Sequence, residues 1–354
     1  MEIRIIDRIH PAKHGQKISQ FNNFSLDLRY DSVASPFQFE WYFDPKDRKS
    51  TILAHVSHFH IVEIWHDGEQ LLKGYILSES FTDKAQETIN TLAGYSLPGV
   101  LEDCQIPIDQ KRQFINLSLR EIATQLVEPF DFDLIIDPAI AAEVDSIFAI
   151  SEAEIGDSIK KYLTEIAAQK NINITHDRSG NLYLTKVKTD LVPIAHFSRG
   201  VPGVEMNLIF NGQEIHSHIT VVKQASSNSG NASEYTIENP YAPYVYRPKI
   251  IKQDSGTDID TKLAAENALA AELKNIKLII KLDRWTNSDG KIFRPNNLVS
   301  VTNPQIFVYE NTNWFIENVS LKGDESEMTA ELTCVLPEVY NGKYPENIFT
   351  KWEK

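Results

Sequence analysis

The sequence predicts an α+β protein that is mainly β, with a small α/β domain set between two β-rich domains. Three observations carry this reading. Apolar residues alternate with polar ones over the first hundred positions, helical periodicity replaces alternation in the middle of the chain, and alternation returns after about residue 190. Period two buries one face of a strand, whereas a stripe at three- and four-residue spacing buries one face of a helix.

The first β-rich domain is expected over 1–103. Phe24, Leu26, Leu28 and Tyr30 alternate with Asn23, Ser25, Asp27 and Arg29, and Phe37, Phe39, Trp41 and Phe43 alternate with Gln38, Glu40, Tyr42 and Asp44. A hairpin follows, in which His66-Asp67-Gly68-Glu69 joins strand-like runs at 59–65 and 71–77. Asp-Gly favours a type I′ turn, because both central residues need positive φ. Closely spaced strands with aromatic inner faces predict a small sandwich or barrel.

The α/β domain is expected over 104–190. Ser118-Leu119-Arg120-Glu121 has the spacing of a capping box, and Leu119, Ile122, Leu126 and Val127 fall on one helical face. Ser151-Glu152-Ala153-Glu154 repeats that signal, followed by a stripe of Ile155, Ile159, Tyr162, Leu163 and Ile166. Short strands are expected at 133–136 and 172–175, and a turn at 177–180 leads into Leu182-Tyr183-Leu184-Thr185.

The second β-rich domain is expected over 191–340, with a helix near 260–274 and a tail at 341–354. Phe210-Asn211-Gly212-Gln213-Glu214-Ile215 lies 144 positions after the first hairpin signal and has a similar turn pair, so Gly68 and Gly212 are expected to mark corresponding turns of a duplicated module. Ile215, Ser217, Ile219 and Val221 then oppose Glu214, His216, His218 and Thr220. The 224–233 segment, rich in Ser and Asn, reads as a loop. Tyr235, Tyr241, Tyr244 and Tyr246, set among Pro240, Pro243 and Pro248, predict an extended strap. Strands are expected at 276–285, 298–302, 314–321 and 328–336, ended by Pro337.

Composition bounds the function. The chain has 354 residues, 42% hydrophobic and 24% charged, with 49 acidic against 35 basic side chains and a net charge of −14. That balance argues against phosphate-backbone binding, which depends on clustered cations. No secretory signal is expected from 1–10, and no run of about 18–20 apolar residues offers a membrane-spanning helix. Two cysteines, Cys104 and Cys334, are too few for a disulfide framework or a thiolate zinc site; Cys334 falls on the apolar face of an alternating run and is expected to be buried.

The chemistry-bearing residues point away from catalysis. His55, His58, His60 and His66 cluster near the first hairpin, but a metal site needs further ligands and groups to orient them, and Glu63 would lie on the opposite face. Gly94-Tyr95-Ser96-Leu97-Pro98-Gly99 has Pro98 where a nucleophile elbow needs glycine. Glu102, Asp103, Asp131, Asp133 and Asp137 offer carboxylates without a defined separation. No phosphate-cradling or dinucleotide motif occurs. No cofactor or metal is therefore expected. The tyrosine strap is the candidate protein interface, comprising Tyr235, Tyr241, Tyr244 and Tyr246, with Trp352 from the tail, since rigid amphipathic aromatics are enriched at such surfaces. Packing across the strap's own domain is the competing reading.

An ordered series of motifs runs along the chain: Asp67-Gly68 with Gly74-Tyr75-Ile76, Gly94-Tyr95-Ser96 before Leu101-Glu102-Asp103-Cys104, and Ile174-Thr175-His176-Asp177-Arg178-Ser179-Gly180-Asn181-Leu182. Tyr246-Arg247-Pro248, Trp285-Thr286-Asn287-Ser288-Asp289-Gly290-Lys291-Ile292-Phe293-Arg294-Pro295-Asn296 and Phe315-Ile316-Glu317-Asn318-Val319 follow. In this order they resemble the baseplate hub proteins of contractile-tailed phages, the Mu-like tail protein or late control D-like family. The resemblance implies two tube-like β-barrel domains per chain and a homotrimer that adapts a six-fold tail tube to a three-fold central spike. It further implies tube or tube-initiator and other baseplate partners, and DNA passing through the lumen without specific binding. The chain would then be a virion protein of the tail baseplate, assembled in the host cytoplasm and without catalysis. A tail-associated cell-wall hydrolase, or a carbohydrate-binding tail-tip protein using Trp285 or Trp352, are the alternatives.

Overall fold

The computed structural model describes residues 1–9, 16–18, 21–83, 88–223, 232–253, 260–324 and 327–353. The loop expected at 224–233 lies, through residue 231, outside them. The chain forms two compact units, Met1–Lys186 with Ser320–Thr329, and Val187–Val319 with Ala330–Lys354.

The first unit opens with strands β1 (Glu2–Ile6), β2 (Gln16–Ile18), β3 (Asn22–Arg29) and β4 (Pro36–Tyr42), then helix α1 (Arg48–Leu53). Strands β5 (Ile61–His66), β6 (Glu69–Asp83) and β7 (Thr88–Ser96) complete a sheet of order β3-β4-β7-β6-β5-β1-β2. The alternation read from sequence is what the sheet buries: Phe24, Leu26, Leu28, Phe37 and Phe39 are inside. The β5–β6 turn forms as expected, with φ of 48° at Asp67 and 81° at Gly68.

Helix α2 (Val100–Asp103), β8 (Gln113–Ser118), α3 (Leu119–Val127), β9 (Leu134–Ile136) and α4 (Ala141–Asp145) follow. Then come β10 (Ile147–Glu152), α5 (Ile159–Ala168), β11 (Asn173–His176) and β12 (Leu182–Thr185). The capping box at Ser118 and Glu121 forms in both directions. The second one does not. Ser151 lies in β10, and α5 starts eight residues later at Ile159, capped by Ser158, whose side chain accepts from the Lys161 N–H. Gly156 at φ 97° separates the two, so Ile155 is 88% exposed while Ile159, Tyr162, Leu163 and Ile166 are buried. A hydroxyl–carboxylate spacing marks a helix start only where the following backbone can stay helical.

The second unit contains β13 (His196–Ser198), β14 (Val204–Phe210), β15 (His218–Lys223), β16 (Ser233–Glu238), β17 (Pro248–Gln253) and α6 (Thr261–Leu273). It continues with β18 (Ile276–Leu282), β19 (Leu298–Asn303), β20 (Val308–Gly323), β21 (Met328–Val335) and α7 (Glu338–Asn341), the far ends of β20 and β21 being counted with the first unit. The sheet order is β14-β18-β21-β20, β19 pairs with β20, and β13 pairs with β19 in parallel. Residues between β14 and β18 leave this sheet and build a three-stranded one, β16-β15-β17, with α6 against it around Ile219, Val221, Ile237, Ala265 and Leu269.

This topology overturns the second hairpin. β14 pairs along its whole length with β18, from Val204↔Leu282 to Phe210↔Ile276, whereas β15 pairs with β16 and β17. Asn211, at φ −92°, caps a one-turn 3-10 helix at Gly212–Glu214 by accepting from the Gln213 N–H. The Arg247 guanidinium holds that turn by donating to the carbonyls of Gly212 and Gln213. Gly68 and Gly212 therefore do not mark corresponding turns. The two longest strands among the described residues each neighbour the next strand in the chain: β6, of 15 residues, lies beside β7, and β20, of 16, beside β21. The fold is mainly β, but among the described residues no strand pairing closes either unit's sheet into the expected barrel.

Candidate interaction surfaces

The motifs Gly74-Tyr75-Ile76 and Gly94-Tyr95-Ser96 turn out to pair with one another, through Gly74↔Ser96, Tyr75↔Tyr95 and Ile76↔Gly94. A Cβ at Gly94 would stand 1.8 Å from the Tyr75 carbonyl oxygen, and one at Gly74 would stand 2.3 Å from that of Tyr95. Glycine is required because the two backbones approach too closely for any side chain. Ser96 accepts from the Ser35 N–H at 2.9 Å and donates to the Val33 carbonyl at 2.5 Å, fully buried. It is a structural hydroxyl.

A serine–histidine contact absent from the sequence reading joins this region to the α/β part of the same unit. Ser35 Oγ lies 2.6 Å from His176 Nε2, and His176 Nδ1 lies 3.0 Å from the Asp177 carbonyl. The geometry resembles a nucleophile with its base, yet Ser35 is fully buried and accepts from the Arg29 N–H. Asn173 and Thr175 extend the seam by donating to the carbonyls of Tyr30, Arg29 and Ser32.

The carboxylates at 102, 103, 131, 133 and 137 serve the same packing. Asp131 accepts from Arg8 at 2.5 Å and from the Tyr75 hydroxyl at 3.1 Å, and burial together with Asp131 pushes Tyr75 up to about 12. Asp103 accepts from the Tyr95 hydroxyl, Glu102 from Ser32, and Asp137 from Thr185 and the Ala139 N–H. Asp133 is held through its backbone N–H, donated to Asn181.

Three of the four histidines, His55, His58 and His60, form a group of ring contacts, while His66 lies at the end of β5. The rings of His55 and His58 lie 3.8 Å apart at 9°, and His58 meets His60 edge-on at 5.3 Å. His60 is fully buried, with the Arg8 N–H donating to Nδ1 and Nε2 donating to the Ile52 carbonyl. Among the described residues no cluster of His, Cys, Asp or Glu could hold a metal ion. Burial pushes the thiol of Cys334 up, in keeping with its expected place in the core.

The tyrosine strap is not one extended segment, and its members divide. Tyr235 lies in β16, half-buried against the α6 side, and Tyr241 is buried, its hydroxyl donating to the Glu346 carbonyl and its ring meeting Phe349 at 5.8 Å. Tyr244 and Tyr246 are 93% and 80% exposed, Tyr246 resting on His218. Asn239 makes the turn between Tyr235 and Tyr241 by accepting from the Tyr241 N–H. The side chain of Trp352 falls outside the described residues. Tyr244, Val245, Tyr246 and Ile250 therefore leave exposed apolar surface near the outer face of the three-stranded sheet. Trp285, offered as a sugar-binding aromatic, is 2% exposed. Its motif is an Asn-held turn, in which Asn287 Oδ1 accepts from the N–H groups of Asp289 and Lys291.

Residues 98–186 match the family model of the baseplate hub protein gp44-like second domain. That bears out the resemblance to baseplate hub proteins over the α/β part. No curated protein sequence matches the chain. The fold is that of a 43 kDa tail protein from prophage MuSo2 of Shewanella oneidensis, at TM-score 0.79 and 18% identity over 96% of this chain and 100% of that one. A tail protein from Neisseria meningitidis MC58 gives 0.76 and 16% over 97% and 98%. The E. coli c3393 protein, described as a type VI secretion component similar to the T4 tail proteins gp27 and gp5, gives 0.57 and 9% over 98% and 80%.

Proposed function

We propose that this chain is the baseplate hub of a contractile phage tail, a structural virion protein without catalysis. The observation that carries the reading is the gp44-like hub domain at 98–186 set within a fold shared end to end with prophage tail proteins. In this reading the chain divides at 1–103, 104–190 and 191–340, with a tail. The β-rich parts are tube-like domains whose open sheets close only against neighbouring copies, so that three chains present six similar modules. One long strand pair in each part, β6–β7 and β20–β21, supports this, in place of the glycine turns at 68 and 212. Closure across copies would also satisfy exposed strand edges.

The trimer adapts a six-fold tube to a three-fold spike and contacts both, along with other baseplate proteins. Assembly takes place in the host cytoplasm. The net charge of −14 suits a lumen through which DNA moves without electrostatic capture. No described helix is long and apolar enough to cross a membrane. Tyr244 and Tyr246 are the exposed members of the proposed interface. Native mass measurement of the purified chain, alone and with its spike partner, tests the reading. A closed trimer is expected, and a chain that stays monomeric at high concentration with the spike present refutes it.

A further inference from the structure

A hollow of about 460 Å³ opens beside the last elements of the second unit, and the turns that follow β21 build much of its wall. Pro337 ends β21 and begins α7, and Gly342, at φ 68°, ends α7. The chain then turns at buried Pro345 into a 3-10 helix at Ile348–Glu353. Four contacts fix this return in place. The Tyr344 hydroxyl donates to the Glu238 carbonyl at 2.8 Å, the Tyr241 hydroxyl to that of Glu346 at 2.8 Å, and the Asn347 amide to that of Pro240 at 2.9 Å. Lys351 pairs with Glu310 of β20 at 3.1 Å.

Buried Leu336, Pro337 and Ile348 supply the apolar part of the lining. Asn311 and Asn313 of β20, Glu338 and Asn341 of α7, and Lys343 and Glu346 beyond it supply the polar part. Among the described residues, no hydrogen bond within the chain occupies the side chains of Asn311, Asn313, Glu338 or Glu346. Asn341 accepts from the Lys343 N–H at 2.9 Å, which leaves its amino group to donate elsewhere.

We infer that this hollow is a binding site for a neutral saccharide, a function beyond the hub reading and independent of ring formation. Primary amides donate and accept at once, so three asparagines suit a ligand that does the same, as hydroxyl groups do. Glu338 and Glu346 outnumber Lys343, since Lys351 is engaged by Glu310, and this excess disfavours phosphate and carboxylate ligands. Lys343 in turn disfavours a cation. The apolar lining calls for a ligand with a non-polar face. Tyr344, 56% exposed and anchored through its hydroxyl, adds a rigid aromatic ring beside it. A pyranose meets all of these demands, with a face of C–H groups and a rim of hydroxyls. The volume falls within the range of small-molecule sites.

The full-length chain is titrated with N,N′-diacetylchitobiose, with cellobiose and with inorganic phosphate, by calorimetry and by the side-chain amide resonances of asparagine. One disaccharide site per chain is expected, with no binding of phosphate. Tighter binding of the chitobiose assigns an N-acetylated glycan, and tighter binding of cellobiose a plain hexose glycan. N311A/N313A truncates two exposed side chains of β20 and should bind at least tenfold more weakly, while N207A, exposed on β14 and outside the hollow, binds as wild type does. The inference is overturned if neither sugar binds at millimolar concentration, if binding survives the double variant, or if phosphate competes for the site. Should the double variant lose its fold by circular dichroism, the wild-type resonances decide: shifts at Asn311, Asn313 and Asn341 support the site, and unchanged ones refute it. A chain that binds sugar and stays monomeric would sink the ring reading and leave this one standing.

Discussion

Replacing Glu272 should unfasten the excursion between β14 and β18. Glu272 is only 4% exposed on α6, and its carboxylate accepts from the His216 N–H at 2.8 Å, from His216 Nδ1 at 2.8 Å and from Lys249 Nζ at 3.1 Å. One buried side chain thus ties α6 to the entry of β15 and to β17. Glu272→Ala leaves the His216 N–H without its acceptor, at a cost of about 1.5–3 kcal/mol for a bond to a charged group. The Lys249 pair adds under about 1 kcal/mol, because Lys249 is 40% exposed and its charge is screened. The expected loss is about 3 kcal/mol. Glu272→Gln keeps an oxygen for the backbone donor and should lose only about 1 kcal/mol. Urea unfolding followed by circular dichroism, with hydrogen exchange resolving β15, measures both. Equal losses for the two variants, or an alanine variant within about 0.5 kcal/mol of wild type, would refute the claim that the carboxylate oxygens hold these three elements.

Other outcomes follow from the same structure. Gly94→Ala should destabilise the chain by at least about 3 kcal/mol or abolish soluble expression, since its methyl would meet the Tyr75 carbonyl at 1.8 Å; thermal unfolding checks this. Tyr241→Ala should cost about 3–5 kcal/mol as a buried aromatic truncation, while Tyr244→Ala and Tyr246→Ala, whose side chains are already exposed, should stay within about 0.5 kcal/mol in urea. Burial holds His66 below its ordinary value of 6.5, so the unfolded chain binds the proton more readily. The His66 contribution is therefore complete above about pH 6.5 and is lost as pH falls towards the folded value. Glu79 acts oppositely, since burial raises its carboxyl and its favourable contribution declines as pH rises through the folded value. In an E79Q background, H66N should flatten the decline of stability between pH 7 and 5, measured by urea midpoints.

Local structure was legible in the residues wherever side-chain pattern and backbone demand coincide. Alternation at Phe24–Tyr30, the Ser118–Glu121 capping box, the Asp67-Gly68 turn and the buried Cys334 are all decided by neighbours within a few residues. Gly74 and Gly94 were legible as motif residues, but the reason they must be glycine, the carbonyls of Tyr95 and Tyr75 on the paired strand, appears only in the fold. Tertiary structure alone decided which strands pair. Asn211-Gly212 has the chemistry of a hairpin turn, but β18, more than sixty residues away, offers β14 seven paired residues, and Arg247 claims the turn's carbonyls. The division of the tyrosines into buried and exposed members and the Ser35–His176 seam depend likewise on partners distant in the chain. Composition records which side chains can be buried or paired; only the folded topology fixes what each of them meets.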